Sequence, residues 1–237
     1  MLIFSTFKEP TDSTWNAVRS WLLLTSRILL FGEEARPYEA EFGVEVIEPL
    51  RKDNLPRLDS MFEMAQEHAE PDEVLVFVNA DILLSPDVLA VKSMVHNQFA
   101  EYGYLVVGQR TDLVVEGRLD VGEGSTWSQL RERAKRQGKL LPPCGSDYFI
   151  FPSGFYQPPP FVIARFAYDN WLIYDALQRS KPVINATNML LAIHQQHYEN
   201  NAQRVDRLTT YNSMLVTRCY PNWDPWSGWV SHATIKL

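Results

Sequence analysis

The chain has 237 residues, 46% of them hydrophobic and 22% charged, a globular balance that excludes a disordered or fibrous protein. Its formal net charge of −7 gives no general attraction to nucleic acid or anionic lipid. Two distant cysteines, Cys144 and Cys219, exclude a disulfide scaffold and a structural zinc site and favour a reducing compartment. The first residues lack a signal-peptide pattern and no apolar run could span a bilayer, so we expect a cytoplasmic protein without a transmembrane segment.

Short apolar runs alternate with helical periods through the first half of the chain. Strands are predicted at residues 2–4, 28–31, 44–47, 74–78 and 105–108. Helices are predicted from Asp12 or Ser13, over residues 58–65, and from residue 85, where Ser85 would be the cap. This alternation predicts an α/β fold with a mostly parallel sheet and helices on both faces, whose ligands bind beyond the carboxyl ends of the strands.

The second half is less regular. We predict a helix at 125–137, a strand at 148–151, a proline-studded loop at 152–160, a helix near 169–179 and a strand at 183–185. No segment has the composition of a flexible linker. The chain is therefore expected to form one domain with a divided sheet.

The strongest local signal is the apolar strand 74–78 that runs directly into Asn79, Ala80 and Asp81. If the chain stays extended there, the side chains of Asn79 and Asp81 point the same way and can share one ligand. Oxygen donors of this kind suit Mg²⁺ or Mn²⁺. The alternative is a strand that ends in ordinary polar turn residues.

Four segments follow one another along the chain: Asn79-Ala80-Asp81, Gly145-Ser146-Asp147, Tyr168-Asp169-Asn170-Trp171 and His194. In this order they resemble motifs of the nucleotide-sugar-dependent glycosyltransferases with the GT-A fold, particularly bacterial and viral examples. Segment 79–81 resembles the acidic DXD motif, with Asn79 in place of the first Asp. Segment 145–147 (Gly-Ser-Asp) resembles the glycine loop of the sugar site. Segment 168–171 (Tyr-Asp-Asn-Trp) resembles the helix-opening acidic motif, and His194 resembles the carboxyl-terminal metal-binding histidine. The resemblance covers about residues 1–198.

The resemblance implies a three-layer αβα sandwich of the Rossmann-like GT-A type with a smaller acceptor-side subregion. Residues 1–108 would form the nucleotide-binding half and residues 109–198 the acceptor and catalytic half. Residues 199–237 would form a carboxyl-terminal helix and a tryptophan-rich tail, packed on the core or used for a partner or acceptor. The implied activity is metal-dependent transfer of a sugar, with inversion, from a UDP-, GDP- or dTDP-sugar to a hydroxyl of a glycan or small molecule.

The resemblance also implies roles for single residues. The metal, Mn²⁺ or Mg²⁺, would be held by Asp81, Asn79 and His194. The catalytic base would be Asp169, with Asp147 as second candidate. The implied donor-binding residues are Ser5, Thr6, Phe7, Asn79, Ala80, Asp81 and Gly145. Two further donor-binding candidates follow from their positions after strands: Glu33 could accept a hydrogen bond from the ribose or base, and Arg110 could pair with a phosphate.

Each of these residues also has an ordinary structural interpretation. Asp169 suits an N-cap or first helical turn, Asp147 a turn before a strand, and His194 a buried core position. Glu33 and Arg110 suit exposed loop charges.

Three other functions remain open. A non-catalytic nucleotide-sugar or glycan-binding protein is one, and a sugar nucleotidyltransferase is another, disfavoured because the loop after the first strand has no glycine. The least favoured is a hydrolase built on His194 and His197.

Overall fold

The computed structural model describes residues 1–122, 124–196, 206–224 and 227–237. The strands are β1 Leu2–Thr6, β2 Ile28–Phe31, β3 Glu45–Ile47, β4 Arg51–Lys52, β5 Leu55–Pro56, β6 Val74–Val78, β7 Ile82–Leu84, β8 Leu105–Val107, β9 Thr111–Val114, β10 Lys139–Leu140, β11 Tyr148–Pro152, β12 Val183–Asn185, β13 Ala192–Gln196 and β14 Ile235–Lys236. The α-helices are α1 Asp12–Leu22, α2 Arg36–Phe42, α3 Leu58–His68, α4 Asp87–Phe99, α5 Gly124–Gln137, α6 Tyr168–Gln178 and α7 Arg207–Cys219.

Eight strands form the central sheet in the order β14-β12-β8-β11-β6-β1-β2-β3. β11 runs antiparallel to β6 and β8, and the other neighbouring pairs are parallel. The predicted α/β class with a mostly parallel central sheet is therefore confirmed.

The central sheet is covered on both faces by helices, which gives three layers. One apolar core contains Val18 and Trp21 of α1 together with Val91 of α4. The other contains Phe62 of α3 and Trp171 of α6. Successive side chains of a strand point to opposite faces, so Leu105 of β8 packs in one core and Val106 in the other. Strands that are buried on both faces in this way are continuous apolar runs.

A second sheet, with the order β10-β9-β13-β7, lies beside the first. Leu83, Leu113 and Ile193 on one of its faces pack against Trp127 and Leu130 of α5. The sequence predicts a divided sheet but none of these four strands. Their pairing joins segments that are far apart in the chain, which no local pattern reveals.

Two helix starts differ from prediction. The cap of α1 is Thr11, whose hydroxyl accepts the backbone N–H of Thr14 at 3.2 Å, so the predicted Asp12 or Ser13 cap is wrong. Ser85 does not cap α4 either. Its hydroxyl donates to the Asp87 carboxylate at 2.7 Å and accepts the Leu191 N–H at 3.2 Å. Ser85 therefore connects the first residue of α4 to the residue that precedes β13.

The described part of the tryptophan-rich tail packs on the core. Val230 is fully buried, and Trp223 is partly buried against the same apolar core as α6. Trp226 and His197 lie outside the described residues. Among the residues that the structure describes, no helix is long and apolar enough to cross a membrane.

Candidate active site at the junction of the two sheets

The second sheet brings His194 next to the end of β6. In the strand register, His194 of β13 lies opposite Ile82 of β7 on one side and Asp112 of β9 on the other. Paired residues of neighbouring strands point to the same face of a sheet, so the side chains of His194 and Asp112 meet. The His194 ring lies between two carboxylates: Nε2 is 3.1 Å from Asp81 Oδ2, in the turn before β7, and Nδ1 is 3.1 Å from Asp112 Oδ1.

His194 is largely buried, its side chain only 8% exposed, whereas the Asp81 side chain is 26% exposed at the rim. Burial opposes a charge on the imidazole, yet the hydrogen bond and charge of Asp81 outweigh it and raise the pKa of His194. Gln195 fixes the backbone at Asp81, because its side-chain amide donates to the Asp81 carbonyl at 3.1 Å.

Arg110 connects Asp112 to a third carboxylate, that of Asp147. Its Nε is 2.9 Å from Asp112 Oδ1, and its Nη1 is 2.9 Å from Asp147 Oδ2. The guanidinium is only 19% exposed and has two carboxylate partners. The sequence interpretations of Arg110 as a phosphate ligand or an exposed loop charge did not anticipate this bridging position.

Asn79 is held against Asp147. Its side-chain amide donates to the Asp147 carboxylate, and its backbone N–H donates to the Asp147 carbonyl at 2.9 Å. The backbone then turns, with the Ile82 N–H donating to the Asn79 carbonyl at 3.1 Å. The chain is therefore not extended over residues 79–81, so that premise of the sequence argument is wrong.

Asp147 is buried at the start of β11. Burial raises its pKa, and the negative charge of Asp81 adds to the effect, while Arg110 opposes it. The pKa of Asp169, which lies in the first turn of α6, is also raised. Burial together with the Asp147 charge raises the pKa of Asp169 to about 6, although the backbone N–H of Asn170 opposes the shift. Contacts through His194, Asp112 and Arg110 connect Asp81 to Asp147. Asp169 is close enough to Asp147 for the two charges to interact.

The residue beside Asp169 anchors that region to two loops. The Asn170 amide donates to the Cys144 carbonyl at 3.2 Å and to the Gly228 carbonyl at 3.0 Å. Asp169 is not the N-cap of α6, because Ala167 occupies that position with a left-handed φ of 92°. Asp169 thus lies within the first helical turn, where the helix dipole favours a carboxylate.

The predicted base-binding residues at the end of β1 have their polar groups engaged in the fold. Ser5 is fully buried and its hydroxyl donates to the Val78 carbonyl at 2.6 Å. The Thr6 hydroxyl donates to the Phe31 carbonyl at 2.8 Å. Phe7 packs on Tyr38 with ring centroids 5.2 Å apart.

The remaining predicted donor residues lie around this edge. Glu33 is exposed and pairs with Arg36 at 3.2 Å, as expected of a loop charge. Ala80 is buried beneath the turn, 7% exposed. Gly145 follows the turn at Cys144, and a Cβ there would come within 2.8 Å of Leu141 Cδ2.

The donor set allows a test of the metal prediction. No group of three or more His, Cys, Asp or Glu side chains in the described ranges has a geometry to hold a metal. Asp81 faces Nε2 of His194 whereas Asp112 faces Nδ1, so the two carboxylates lie on opposite sides of the ring. The donors that remain for one ion are Asp81 Oδ2 and His194 Nε2, which are 3.1 Å apart. Adjacent ligands of an octahedral ion with bonds of about 2.1 Å lie about 3 Å apart, so the pair fits an ion whose other ligands are water or phosphate.

The sequence interpretation missed Asp112. A signal for it exists, because residues two apart on a strand face the same side and Asp112 is two residues after Arg110. Without the pairing of β9 and β13, however, nothing in the sequence connects it to His194.

No family model and no curated protein matches this chain. Among solved structures, "Crystal structure of GalNAc-T7 with UDP, GalNAc and Mn2+" is similar with a TM-score of 0.55 at 13% identity, over 91% of this chain and 48% of that one. This chain therefore spans about half the length of that neighbour.

Two further structures match at TM-scores too low to support an argument. TarS of S. aureus with UDP-GlcNAc has a TM-score of 0.32 at 10% identity, over 51% of this chain and 37% of that one. The inositol-1-phosphate CTP transferase of T. maritima has 0.45 at 12% identity, over 91% and 96%. The likeness to the first structure confirms the predicted GT-A-like fold, and at this identity it establishes the fold alone.

Proposed function

We propose that the protein is a nucleotide-sugar-dependent glycosyltransferase that transfers a sugar to an acceptor hydroxyl with inversion, using a divalent metal. The observation that carries the proposal is the clustering of Asp81, His194, Asp147 and Asp169 beyond the carboxyl end of β6. Ligands of open α/β sheets bind at this edge, and the four side chains come from distant parts of the chain. The GT-A-like fold is the architecture in which such an arrangement serves sugar transfer.

Asp81 and His194 would hold the metal, and Asp81, the more exposed of the two, would face the donor diphosphate. When bound, Mn²⁺ or Mg²⁺ supplies a Lewis acid that stabilises the negative charge of the leaving nucleoside diphosphate. The role of Asn79 in this arrangement is to fix Asp147 through its amide.

Asp169 is the best candidate for the base. With a pKa of about 6 it is ionised at neutral pH, yet basic enough to accept a proton in the transition state. In the proposed step, the acceptor oxygen bonds to the anomeric carbon as the bond to the diphosphate oxygen breaks. The acceptor proton goes to the Asp169 carboxylate and the electron pair leaves with the diphosphate. One such displacement inverts the anomeric centre.

The test is release of nucleoside diphosphate from a panel of UDP-, GDP- and dTDP-sugars with Mn²⁺ and a mixture of glycan acceptors. We expect release with one donor class, and loss of about 10²–10⁴-fold in Asp169→Asn. Asp59→Asn is the control, since Asp59 pairs with Arg57 on α3, away from this cluster. Full activity of Asp169→Asn contradicts its role as base.

If no panel member yields nucleoside diphosphate, the transferase proposal fails. Calorimetry with the same compounds then identifies a non-catalytic protein by binding that requires no Mn²⁺ and gives no turnover. Formation of a nucleotide-sugar from a nucleoside triphosphate and a sugar phosphate would instead identify a nucleotidyltransferase.

A further inference from the structure

Asp112 is a partly buried carboxylate without a role in the motifs discussed above. Its side chain is 13% exposed, and it contacts both His194 Nδ1 and Arg110 Nε, at 3.1 and 2.9 Å. The outward-facing ring nitrogen, Nε2, is the one that approaches Asp81. An imidazole that binds a metal through one nitrogen commonly has its other nitrogen held by a carboxylate, which fixes the ring orientation and raises its basicity.

We propose that Asp112 is a positioning residue, which holds the His194 ring so that Nε2 faces Asp81 and the metal, and that Arg110 fixes Asp112 for this task. This inference rests on the proposed function. Asp112 itself touches neither the donor nor the ion.

The arrangement is rigid for three reasons. Backbone pairing fixes the register of His194 against Asp112. Arg110 spans Asp112 and Asp147, so rotation of the Asp112 carboxylate would break a bridge that is anchored at both ends. Arg110 also compensates the negative charge that two buried carboxylates would otherwise accumulate, since a buried unpaired charge is costly.

The two ring nitrogens of His194 have different surroundings. His194 lies between the more exposed carboxylate of Asp81 and the less exposed carboxylate of Asp112, whose side chains are 26% and 13% exposed. A metal can reach Nε2 from the Asp81 side, whereas Arg110 covers the Asp112 side. The same ring therefore presents one nitrogen to the cleft and keeps the other within the protein.

The experiment is Mn²⁺ binding to the full chain, followed by the electron paramagnetic resonance signal of the free ion, without donor or acceptor. We expect Asp112→Ala to weaken Mn²⁺ binding by about 10–100-fold. Asp112→Asn should bind considerably tighter than Asp112→Ala, because an amide of the same shape keeps an oxygen in contact with Nδ1. Asp59→Ala is the control: it breaks a second Arg–Asp pair with the same two-residue spacing, and should leave the affinity unchanged.

A double-mutant cycle with His194→Ala separates positioning from general electrostatics. If Asp112 acts through His194, then Asp112→Ala added to His194→Ala should change the affinity by about twofold or less, as for energetically independent changes. The proposal is overturned by any of three results: equal losses in both backgrounds, Asp112→Asn as weak as Asp112→Ala, or no Mn²⁺ binding by the unmodified protein.

Nucleoside diphosphate release by the same variants shows whether only the positioning role of Asp112 fails or the proposed transferase function fails as well. Release by the unmodified chain with no effect of Asp112→Ala rejects only the positioning role. Absence of release rejects the transferase, and the binding cycle still decides the role of Asp112.

Discussion

The contact between Gly228 and Asn170 predicts an unusually costly alanine substitution. A Cβ at Gly228 would lie 2.0 Å from the Asn170 carbonyl oxygen and 2.9 Å from its carbon, both backbone atoms at the start of α6. Gly154 is a matched control, because its φ of 78° nearly equals the 76° of Gly228, but nothing lies within 4 Å of its Cβ position.

Both substitutions incur the left-handed backbone cost of about 1–2 kcal/mol. Gly228→Ala must also move the chain away from Asn170, which breaks the 3.0 Å hydrogen bond from the Asn170 amide and leaves that buried group short of a partner, at about 1–3 kcal/mol. We therefore expect Gly154→Ala to lose about 1–2 kcal/mol and Gly228→Ala about 2–5.

Urea unfolding of the two variants measures this difference. At about 2–4 °C of Tm per kcal/mol for a chain of this size, thermal unfolding should separate them clearly. Gly228→Ala should also lower kcat, since Asp169 precedes Asn170, whereas Gly154→Ala should not. Equal destabilisation by the two variants would refute the argument from the contact with Asn170.

Three further outcomes are expected. Because the pKa of Asp169 is about 6, kcat should rise with pH up to about 6 and then level off, and Asp169→Asn should abolish that limb in a pH–rate profile. Since folding raises this pKa, the stability contributed by protonated Asp169 is lost as pH rises from about 4 through 6, so Asp169→Asn should unfold at a higher temperature than the unmodified chain at pH 8 but not at pH 4; identical Tm differences at both pH values would contradict this. Tyr148→Phe should stabilise by about 1 kcal/mol in urea unfolding, because the Tyr148 hydroxyl is buried without a hydrogen-bond partner in the described part of the chain; a loss of stability would contradict this.

The sequence predicts every strand of the central sheet except the edge strand β14, because most of these strands are continuous apolar runs. Residues 74–78 and 183–185 are predicted with the observed bounds of β6 and β12. Long apolar runs identify buried strands without knowledge of their neighbours. The short strands of the second sheet are not all continuous apolar runs. β9, for example, mixes polar and apolar residues, and it is recognised as a strand only through its pairing with β13.

The same limit applies to the candidate site. The sequence motifs include Asp81, Asp169 and His194, which carry the proposed chemistry. Pattern alone does not tell that the Ser5 hydroxyl faces Val78 inside the sheet, or that Asn79 is turned toward Asp147. These side-chain contacts depend on which strands become neighbours. The contact between Asp112 and His194 depends on the same pairing.

The proposed function requires that Asp81 and His194 form the protein side of a metal site for a nucleoside diphosphate. The most direct measurement is anomalous diffraction from crystals grown with Mn²⁺ and UDP, GDP or dTDP. We predict a manganese peak within about 2.0–2.3 Å of both Asp81 Oδ2 and His194 Nε2, with diphosphate oxygens completing its shell. A nucleotide bound elsewhere, or manganese that touches neither side chain, would contradict the account.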